Sequence, residues 1–522
     1  MRVTASHARL AAAFLAAALA LPTVARAGGL EVGDNGAEAM GRGGAFVAKA
    51  DSPAALNYNP AGFAKLRGWQ TVVSANMVYA PLDFQRAGRF SAANGDGLYP
   101  TVQNNKALFV VPMQFALTTD FGYFKRLTFA VGAYGPSAVG RTFDSAVRMG
   151  GKELAAPQRF DTTTGTEGSL ILFPTVGIGY RLHEKVDLGL TFQWALTSLK
   201  MGTMATVGAA CPDTPEDPAC DVTIDLEGKD WFAPSGSAGF LVRPTRGLEL
   251  GGLVRLPSTA ELSGKAKVSF GPGVQKLAGY MQKKMLDPDE PTVQIENSYP
   301  WMFRLGARYA WYTGDEEKAD IELDLTYERW SATSKKMVKI DAVSLGKPLA
   351  PVAQDWKLKD TLGVRLGGSY RFRLAANLQL TLRAGAFAET ESTAVSDTSL
   401  TILGPQRLGL TTGLGLKWGA VSVDVAYAHL FLPDRVVERS TFKAQDFGGG
   451  EGPTVGNGTY RGSFDGFYVT LGTSFGSAPA ARRRPAEEPV LAKREKPARV
   501  ASAVRSKGAP SEQDEDLRFD PS

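Results

Sequence analysis

The chain has 522 residues, and this length fits either several soluble domains or one large β-barrel. Its net charge of +5 is small for the length, which gives no reason to expect a nucleic-acid partner. The 58 glycines and eight tryptophans favour a barrel, because barrel walls use glycine and their rims carry aromatic residues.

Residues 1–27 have the order of a secretory signal peptide. Arg2 and Arg9 accompany an apolar run over 10–21, and Ala25-Arg26-Ala27 is a small-residue cleavage site. The alternative, an uncleaved membrane anchor, needs about 20 apolar residues, and this run is shorter. We therefore expect an exported chain. No Cys directly follows the cleavage site, which disfavours a lipoprotein, and no later run has the length of a membrane helix.

Alternation of apolar and polar residues with a period of two recurs along the chain. It is clearest in residues 321–328, 378–383, 421–427 and 467–475. Successive side chains of a strand point to opposite faces, so each of these segments has one apolar and one polar side. The segments match the roughly 9–11 residues of a tilted membrane strand.

Short and long connections alternate between these segments. The short ones include residues 182–185, 243–246 and 418–419, and the long ones residues 143–168, 202–229, 264–296, 332–354 and 438–460. Outer-membrane barrels have short periplasmic turns and long outer loops. We therefore predict an all-β fold, a transmembrane antiparallel β-barrel of about 14 strands over residues 68–476. An even strand number puts both chain ends on the periplasmic side.

Residues 477–522 differ in character from the barrel. They are rich in Pro, Ala and charged residues, which predicts a disordered periplasmic tail whose partner the sequence does not identify. Before the tail, Phe475 ends the last predicted strand. A terminal aromatic residue there resembles the signal that the barrel-assembly machinery reads.

The two cysteines, Cys211 and Cys220, lie in one polar segment. In an oxidising compartment we expect them to form a disulfide in an outer loop. The alternatives are two free thiols or a metal site, and the latter lacks further Cys or His nearby. We expect neither a cofactor nor a metal.

Residues 28–67 are rich in Gly and Ala and poor in strand formers, which predicts an N-terminal hatch, or plug, rather than wall. The stretch Gly33–Asp51 followed by Asn59-Pro60-Ala61 resembles the hatch of the FadL/TodX (OMPP1) family. Residues 129–137, 173–180, 325–331 and 356–361 are also similar to family stretches. The resemblance covers residues 33–475. It implies outer-membrane transport of hydrophobic small molecules, such as long-chain fatty acids or hydrocarbons, among outer-membrane lipids.

One long loop contains a candidate capture groove. Its apolar residues follow helical spacing opposite polar ones: Val274, Leu277, Met281 and Met285. Methionine suits a pliable apolar surface. In the family resembled, the outer groove lies between the third and fourth long loops, and this is the fourth. The alternative is a face that only packs against neighbouring loops.

A candidate lateral exit lies in the second to fourth strands, which contain Pro112, Pro136 and Pro174. Proline cannot donate to a strand ladder, and Gly132 and Gly135 stand beside Pro136. The resemblance implies a kink in the third strand that opens the lumen sideways. The alternative is a set of prolines at the membrane rim.

Lumen-facing arginines have two interpretations. One or two of Arg255, Arg304, Arg308 and Arg365 could bind a carboxylate head group, or all could belong to a structural network with the hatch. The triplet Asn59, Pro60 and Ala61 is similarly a structural turn or a ligand contact.

Two other functions remain as alternatives. An outer-membrane lipase needs a Ser–His pair, and neither His183 nor His429 has a convincing serine partner in the sequence. A structural or adhesive barrel tethered through its tail would not need a hatch. We therefore expect a transporter and not an enzyme.

Overall fold

A computed structural model describes residues 35–135, 141–161, 164–211, 214, 216–344, 346–349, 351–446 and 451–476. The predicted signal peptide, the predicted tail, residues 28–34 of the predicted hatch and Pro136 lie outside the described residues. No helix within the described ranges is both long and apolar enough to cross a membrane.

The wall is a closed antiparallel barrel of 14 strands, as the sequence predicted. In order around the barrel, wall strands one to six are Trp69–Tyr79, Leu108–Thr119, Leu127–Tyr134, Thr164–His183, Val186–Thr206 and Asp221–Val242. Strands seven to ten are each built from two segments: Leu248–Arg255 with Ser258–Phe270, Met302–Thr313 with Asp287–Tyr299, Glu316–Glu328 with Lys335–Ser344, and Thr361–Ala375 with Val352–Asp355. Strands eleven to fourteen are Leu378–Glu389, Arg407–Trp418, Val421–Phe431 and Phe464–Phe475.

The barrel closes where the first strand pairs with the last. Trp69 lies opposite Phe475, so the wall begins and ends at the same end of the barrel. The short turns that follow His183, Val242, Thr313, Ala375 and Trp418 are at this end too. We call it the short-turn end, and the opposite end the long-loop end.

The outer face of the wall is an apolar belt. Because strand side chains alternate between faces, every second wall residue points outward. Exposed apolar side chains recur on nearly every strand: Val73, Met77, Val131, Ile178, Leu190, Phe240, Leu305, Leu325, Leu362, Leu382, Leu414, Val423, Val469 and Leu471. Exposed aromatic residues flank the belt, with Trp69, Trp418 and Phe475 at the short-turn end and Trp231 and Phe232 towards the other end. A belt of this kind is the surface that lipid requires.

The long connections differ from the prediction. Much of residues 202–229, 264–296 and 332–354 is strand, because wall strands five to ten continue well past the belt towards the long-loop end. Within residues 264–296 the connection contains the helix Pro272–Met281. The long-loop end is thus a raised part of the wall, rather than a set of irregular loops, on this side of the barrel.

Residues 35–67 lie inside the barrel. They contain the helices Ala37–Met40 and Ala55–Tyr58 and the 3-10 helix Pro60–Lys65. The first helix contacts wall strands twelve to fourteen, and the 3-10 helix contacts strands three to six. Contact with opposite sides of a closed wall is possible only from within, and nearly all of these residues are buried. We call residues 35–67 the hatch.

The remaining elements cover part of the long-loop end. A small sheet has the order Arg435–Val437, Gly458–Gly462, Leu82–Arg86 and Val102–Gln103. Other short strands are Ala146–Met149, Lys152–Ala155, Lys347–Pro348 and Gln445–Asp446. The other 3-10 helices are Ala92–Asn94, Gly208–Ala210, Pro218–Cys220, Trp330–Thr333 and Val395–Asp397.

Candidate functional site

Wall glycines let the hatch backbone touch the wall. A Cβ added at Gly189 would lie 2.1 Å from the Pro60 carbonyl carbon, and one added at Gly385 would lie 2.2 Å from the Arg42 carbonyl carbon. No real side chain fits at such distances. The two positions are on opposite sides of the barrel, so the wall holds the hatch from both sides.

A buried charge network fixes the hatch to wall strands nine and ten. The Arg42 guanidinium is fully buried and bonds Asp320, Glu322 and Ser369, with Nη2 lying 2.7 Å from Asp320 Oδ2. The Glu322 and Asp324 carboxylates also accept bonds from hatch backbone N–H groups. Paired and hydrogen-bonded in this way, buried charges are costly to separate.

A second group of charges lies within the hatch itself. Lys49 bonds both Glu38 and Asp51. Burial acts to raise the pKa of Asp51, but the cations around it, Lys49 above all, outweigh burial and hold that pKa below its usual value. The Asp51 carboxylate is therefore ionised at neutral pH, which keeps the ion pair with Lys49 in place.

The predicted hatch motif is a turn seated on wall strand six. Asn59 is fully buried, and its Nδ2 donates to the carbonyls of Val47 at 2.9 Å and Phe240 at 3.0 Å. Its Oδ1 accepts from the Ala61 N–H at 3.1 Å, and Pro60 begins the 3-10 helix. These bonds engage the Asn59 amide within the protein, which supports the structural interpretation of the motif over a ligand contact.

The four candidate head-group arginines are all buried, and they differ in their partners. Arg308 bonds Glu249, Asp320 and Glu317, so carboxylates of the wall already occupy its guanidinium. Arg365 bonds Glu389 and the Gly43 carbonyl of the hatch. Arg304 lies over the Tyr58 ring, 5.4 Å from its centroid. Arg255 lies on the inner face of strand seven and is 6% exposed.

The interior towards the long-loop end is apolar along wall strands three to nine. One continuous cluster, which we call the apolar cluster, joins the hatch, the wall and the helix Pro272–Met281. From the hatch it includes Ala50, Leu56, Phe63 and Leu66; from the wall, among others, Tyr134, Phe173, Val222, Ile224, Leu226, Leu262, Val293, Ile295, Tyr299 and Ile340; and from the helix, Val274. The cluster therefore connects the candidate capture groove with the candidate exit.

The predicted capture residues divide between buried and exposed positions. Val274 is buried in the apolar cluster and Leu277 packs against it, while Met281 is 44% exposed at the end of the helix. The helix ends at Met281 because Gln282 adopts a left-handed conformation. Met285 thus lies beyond the helix, and the prediction that it shares the helical face with the other three is wrong.

The ladder of the wall is interrupted beside the predicted exit residues. The third strand pairs with the second over residues 115–119 and with the fourth over residues 173–180, where Ala133 lies opposite Pro174. Among the described ladder pairs, residues 108–114 of the second strand bond only the first strand, and residues 164–172 of the fourth bond only the fifth. Among the described residues the two facing edges are therefore not paired with each other, and we call this stretch of the wall, with exposed Leu108, Val110 and Leu170 along it, the gap.

The remaining exit residues border this gap. Pro112 is part of the unpaired edge of the second strand. Gly132 lets the strands approach closely, since a Cβ there would lie 2.3 Å from the Phe115 carbonyl oxygen. Asn35 of the hatch donates through Nδ2 to the Gly135 carbonyl at 2.8 Å. The hatch is thus bonded directly to the end of the third strand.

Lys336 is a buried cation that the sequence analysis missed. It lies on the inner face of strand nine, the same face that presents Val338, Ile340 and Ala342 to the apolar cluster. Its Nζ donates to Asn297 Oδ1 at 3.0 Å and lies 5.3 Å from the Trp356 ring centroid. Within the described ranges, no carboxylate is within 4.0 Å of this Nζ. A lysine on an otherwise apolar strand face is the sequence signal that could have identified it.

The space on the other side of the hatch is polar. A cavity of about 310 Å³ at the short-turn end is lined by charged and hydroxyl side chains, among them Glu38, Lys49, Asp51, Arg371, Arg383, Lys417, Ser422 and Asp424. An apolar solute gains nothing by moving from the apolar cluster to this cavity.

His183 and His429, the two histidines among the described residues, are not arranged for nucleophilic catalysis. His429 Nδ1 lies 2.8 Å from Asp465 Oδ1, and the same carboxylate accepts a bond from Tyr427. His183 is in a short turn, where its Nδ1 accepts from the Lys185 N–H. In the part of the chain that the structure describes, neither ring bonds a serine hydroxyl, and no group of His, Cys, Asp and Glu could hold a metal ion.

The two cysteines are joined by a disulfide in the connection between wall strands five and six, at the long-loop end. Cys220 is fully buried and ends the 3-10 helix Pro218–Cys220. This turn lies next to the helix Pro272–Met281.

The fold is similar to the folds of several solved structures. The FadL homologue of Pseudomonas aeruginosa has a TM-score of 0.69 and 16% identity over 86% of this chain and 100% of that one. The toluene transporter TodX of P. putida has a TM-score of 0.60 and 15% identity over 86% and 99% of the two chains. The toluene transporter TbuX of Ralstonia pickettii has a TM-score of 0.57 and 16% identity over 85% and 99%. No curated protein sequence matches the chain.

The sequence profile of the outer membrane transport proteins, described as OMPP1/FadL/TodX, matches residues 18–472. This match covers most of the chain and agrees with the barrel and with the neighbouring solved structures. The sequence-based prediction of a transporter rather than an enzyme is confirmed by this family. The chain therefore belongs to the OMPP1/FadL/TodX family of outer-membrane transport proteins.

Proposed function

We propose that this protein carries long-chain fatty acids, or apolar molecules with a similar carboxylate head, across the outer membrane. The observation that carries the proposal is the apolar cluster, which extends from the helix Pro272–Met281 to Tyr134 and Phe173 at the third and fourth strands. A continuous set of apolar side chains offers an apolar solute an environment outside water from one end of the cluster to the other.

The route begins at the long-loop end and leaves through the wall. Solute is captured at the helix, beside the exposed Met281, and moves along the cluster towards Phe173. It leaves through the gap between the second and fourth strands, whose borders carry exposed apolar side chains. Release into lipid avoids the cost of exposing the solute to water, roughly 25 cal/mol per Å² of apolar surface.

The hatch closes the straight route through the barrel. Its backbone rests on wall glycines, Arg42 bonds it to strands nine and ten, and Asn59 bonds it to strand six. The space beyond it is a polar cavity, which favours water and ions over an apolar solute. This arrangement supports a plug that stays in place while solute leaves sideways.

Lys336 supports the choice of a carboxylate-headed solute. It is a buried cation beside an apolar path, and its hydrogen-bond partner is the neutral Asn297 amide. A carboxylate would form a charge-assisted bond with this ammonium group, which is about twice as strong as a neutral bond. The wall carboxylates on Arg308 make that arginine a poorer candidate for the same role.

The experiment compares Lys336→Met with Lys339→Met, a matched control three residues along on the exposed outer face of the same strand. We expect Lys336→Met to weaken binding of oleate about 10- to 100-fold, as loss of one bond to a charged group implies. Binding of methyl oleate, which lacks the charge, should stay at the wild-type level, and Lys339→Met should bind both as wild type does. Equal binding of oleate by the two variants would contradict the role of Lys336.

We also place the short-turn end in the periplasm and the long-loop end outside the cell. Short turns at one end and long connections at the other are typical of outer-membrane barrels. The apolar belt then contacts outer-membrane lipids, and Phe475, exposed at the end of the last strand, is the residue offered to the barrel-assembly machinery.

A further inference from the structure

The helix Pro272–Met281 cannot hold its position by itself. It has ten residues, and isolated helices shorter than about 12–15 residues are marginal in water. Its N-cap, Gly271, makes no side-chain capping bond, and Tyr280 and Met281 are exposed at its other end. Neighbouring parts of the protein must therefore fix it.

The disulfide turn is the part that touches the beginning of this helix. The Gly271 N–H donates to the Asp221 carbonyl at 2.8 Å. A Cβ added at Gly271 would lie 2.4 Å from the Ala219 carbonyl oxygen. One added at Gly273 would lie 2.9 Å from that oxygen and 3.0 Å from Cys220 Sγ. The first turn of the helix thus fits against residues 218–221 only because two of its positions are glycine.

The turn is itself held rigidly. Besides the disulfide to Cys211, the Cys220 N–H donates to the Asp217 carbonyl at 2.9 Å, and the Cys220 carbonyl accepts from the Val207 N–H at 3.0 Å. Asp217 also accepts from the Ala219 N–H at 2.8 Å. These contacts join the turn to the top of wall strand five.

Two buried arginines tie the same turn to other segments of the long-loop end. Arg86, from the segment after the first wall strand, bonds the Glu216 carboxylate with both of its terminal nitrogens, at 2.7 and 2.8 Å. Arg159, from the segment before the fourth, bonds the Asp221 carboxylate and donates to the Glu216 carbonyl at 2.7 Å. The turn is therefore bonded to two further segments of the long-loop end, one through Arg86 and one through Arg159.

We propose that residues 216–221, which the disulfide joins to Cys211, are the seat of the helix Pro272–Met281, and that Gly271, Gly273 and the disulfide are positioning residues for solute capture. This inference rests on the proposed function, because it takes the helix as the capture surface. By holding the first turn of the helix, the seat aims Val274 and Leu277 into the apolar cluster and leaves Met281 open to arriving solute. The strength of capture thus depends on a cross-linked turn outside the barrel wall.

The test compares Gly273→Ala with Gly279→Ala. Gly279 is on the same helix and has open space where a Cβ would be, so both variants gain the same helix propensity and only one disturbs the seat. A third variant, Cys211→Ser with Cys220→Ser, removes the cross-link. Uptake of radiolabelled oleate by intact cells is measured against concentration, and heat-modifiable migration in gels reports the folded barrel.

We expect the KM for oleate uptake to rise about tenfold in Gly273→Ala and in the double serine variant, with an unchanged maximal rate, since loosening a binding loop weakens capture. Gly279→Ala should behave as wild type. A general structural defect would instead lower the maximal rate and the amount of folded barrel. An unchanged KM in Gly273→Ala, or an equal rise in Gly279→Ala, overturns the proposal.

Hydrogen exchange of the helix amides in detergent-solubilised protein separates this proposal from the proposed function. If wild-type cells take up no more oleate than cells without the protein, the proposed function has failed. In that case the hydrogen exchange of the helix amides alone tests the seat. Faster exchange of residues 272–281 in Gly273→Ala than in Gly279→Ala supports it, and equal exchange in the two variants overturns it.

Discussion

The two sides of the hatch show opposite ways of filling a barrel. Towards the short-turn end the interior is charged, and almost every charge named above has a partner of opposite sign within 4 Å, such as Arg42 with Asp320 or Lys49 with Asp51. Towards the long-loop end, strands three to nine enclose an apolar cluster with one buried lysine at its edge. The charged side immobilises the plug, because buried pairs are costly to separate, while the apolar side offers non-directional contacts through which a solute can move.

The largest effect is expected from closing the outlet of the apolar side. Replacing Pro136 by Val restores a backbone N–H donor, and replacing Gly135 by Val adds a β-branched residue that favours strand, so uptake of oleate by the double variant should fall to the level of cells without the protein. Capture at the outer surface should persist, so binding and uptake separate. As a control, Pro244→Val changes a proline in a short turn at the other end of the barrel. A folded, inserted double variant with wild-type uptake would refute the lateral route.

The next effect comes from breaking the charged side. Arg42→Met leaves Glu322 buried without its cation and Asp320 with Arg308 alone, which should destabilise hatch docking by about 3–5 kcal/mol. We expect the plug to loosen and intact cells to hydrolyse nitrocefin faster through a periplasmic β-lactamase. Arg89→Met is the comparison, since the Arg89–Asp96 pair is exposed and such pairs contribute about 0–1 kcal/mol. The same leak rate in both variants would mean that Arg42 does not hold the plug.

The smallest effect comes from giving the apolar side a charge. Ile295→Asp puts an unpaired carboxylate into the apolar cluster, and we expect oleate uptake to fall about tenfold because that charge retains water in the path. Gln294→Asp is the matched control, being the preceding residue on the exposed outer face of the same strand. If the two variants transport equally, the cluster is not the route.

The wall could be predicted from the sequence because lipid imposes a simple rule. Within the lipid, every backbone group must be paired and every second side chain must be apolar. Segments such as 467–475 can therefore be identified from their alternation. The height of the wall could not be predicted. Membrane thickness sets how many residues span the lipid, but it does not determine how far a strand continues beyond the lipid. Residues 221–226 alternate as clearly as the spanning segments do, and they belong to strand six rather than to a loop.

The site was less predictable because its partners come from distant parts of the chain. Arg308 has the same neighbours in sequence whether it binds a ligand or a wall carboxylate, and only the fold brings Glu249 and Glu317 to it. Met285 keeps helical spacing after the helix has ended, since Gln282 turns the chain without the glycine that usually marks such a point. Arg42, a cation in a Gly- and Ala-rich segment, was the overlooked signal in the hatch.

The glycine contacts between hatch and wall have a consequence for which positions can vary. At Gly189 and Gly385 the atoms that a new side chain would meet belong to the hatch backbone, which every residue type possesses. A saturation mutagenesis screen should therefore find these wall glycines almost irreplaceable, whichever side chains the hatch residues facing them carry. The presence of the plug would then restrict the residue types of the wall strands as well as those of the hatch itself.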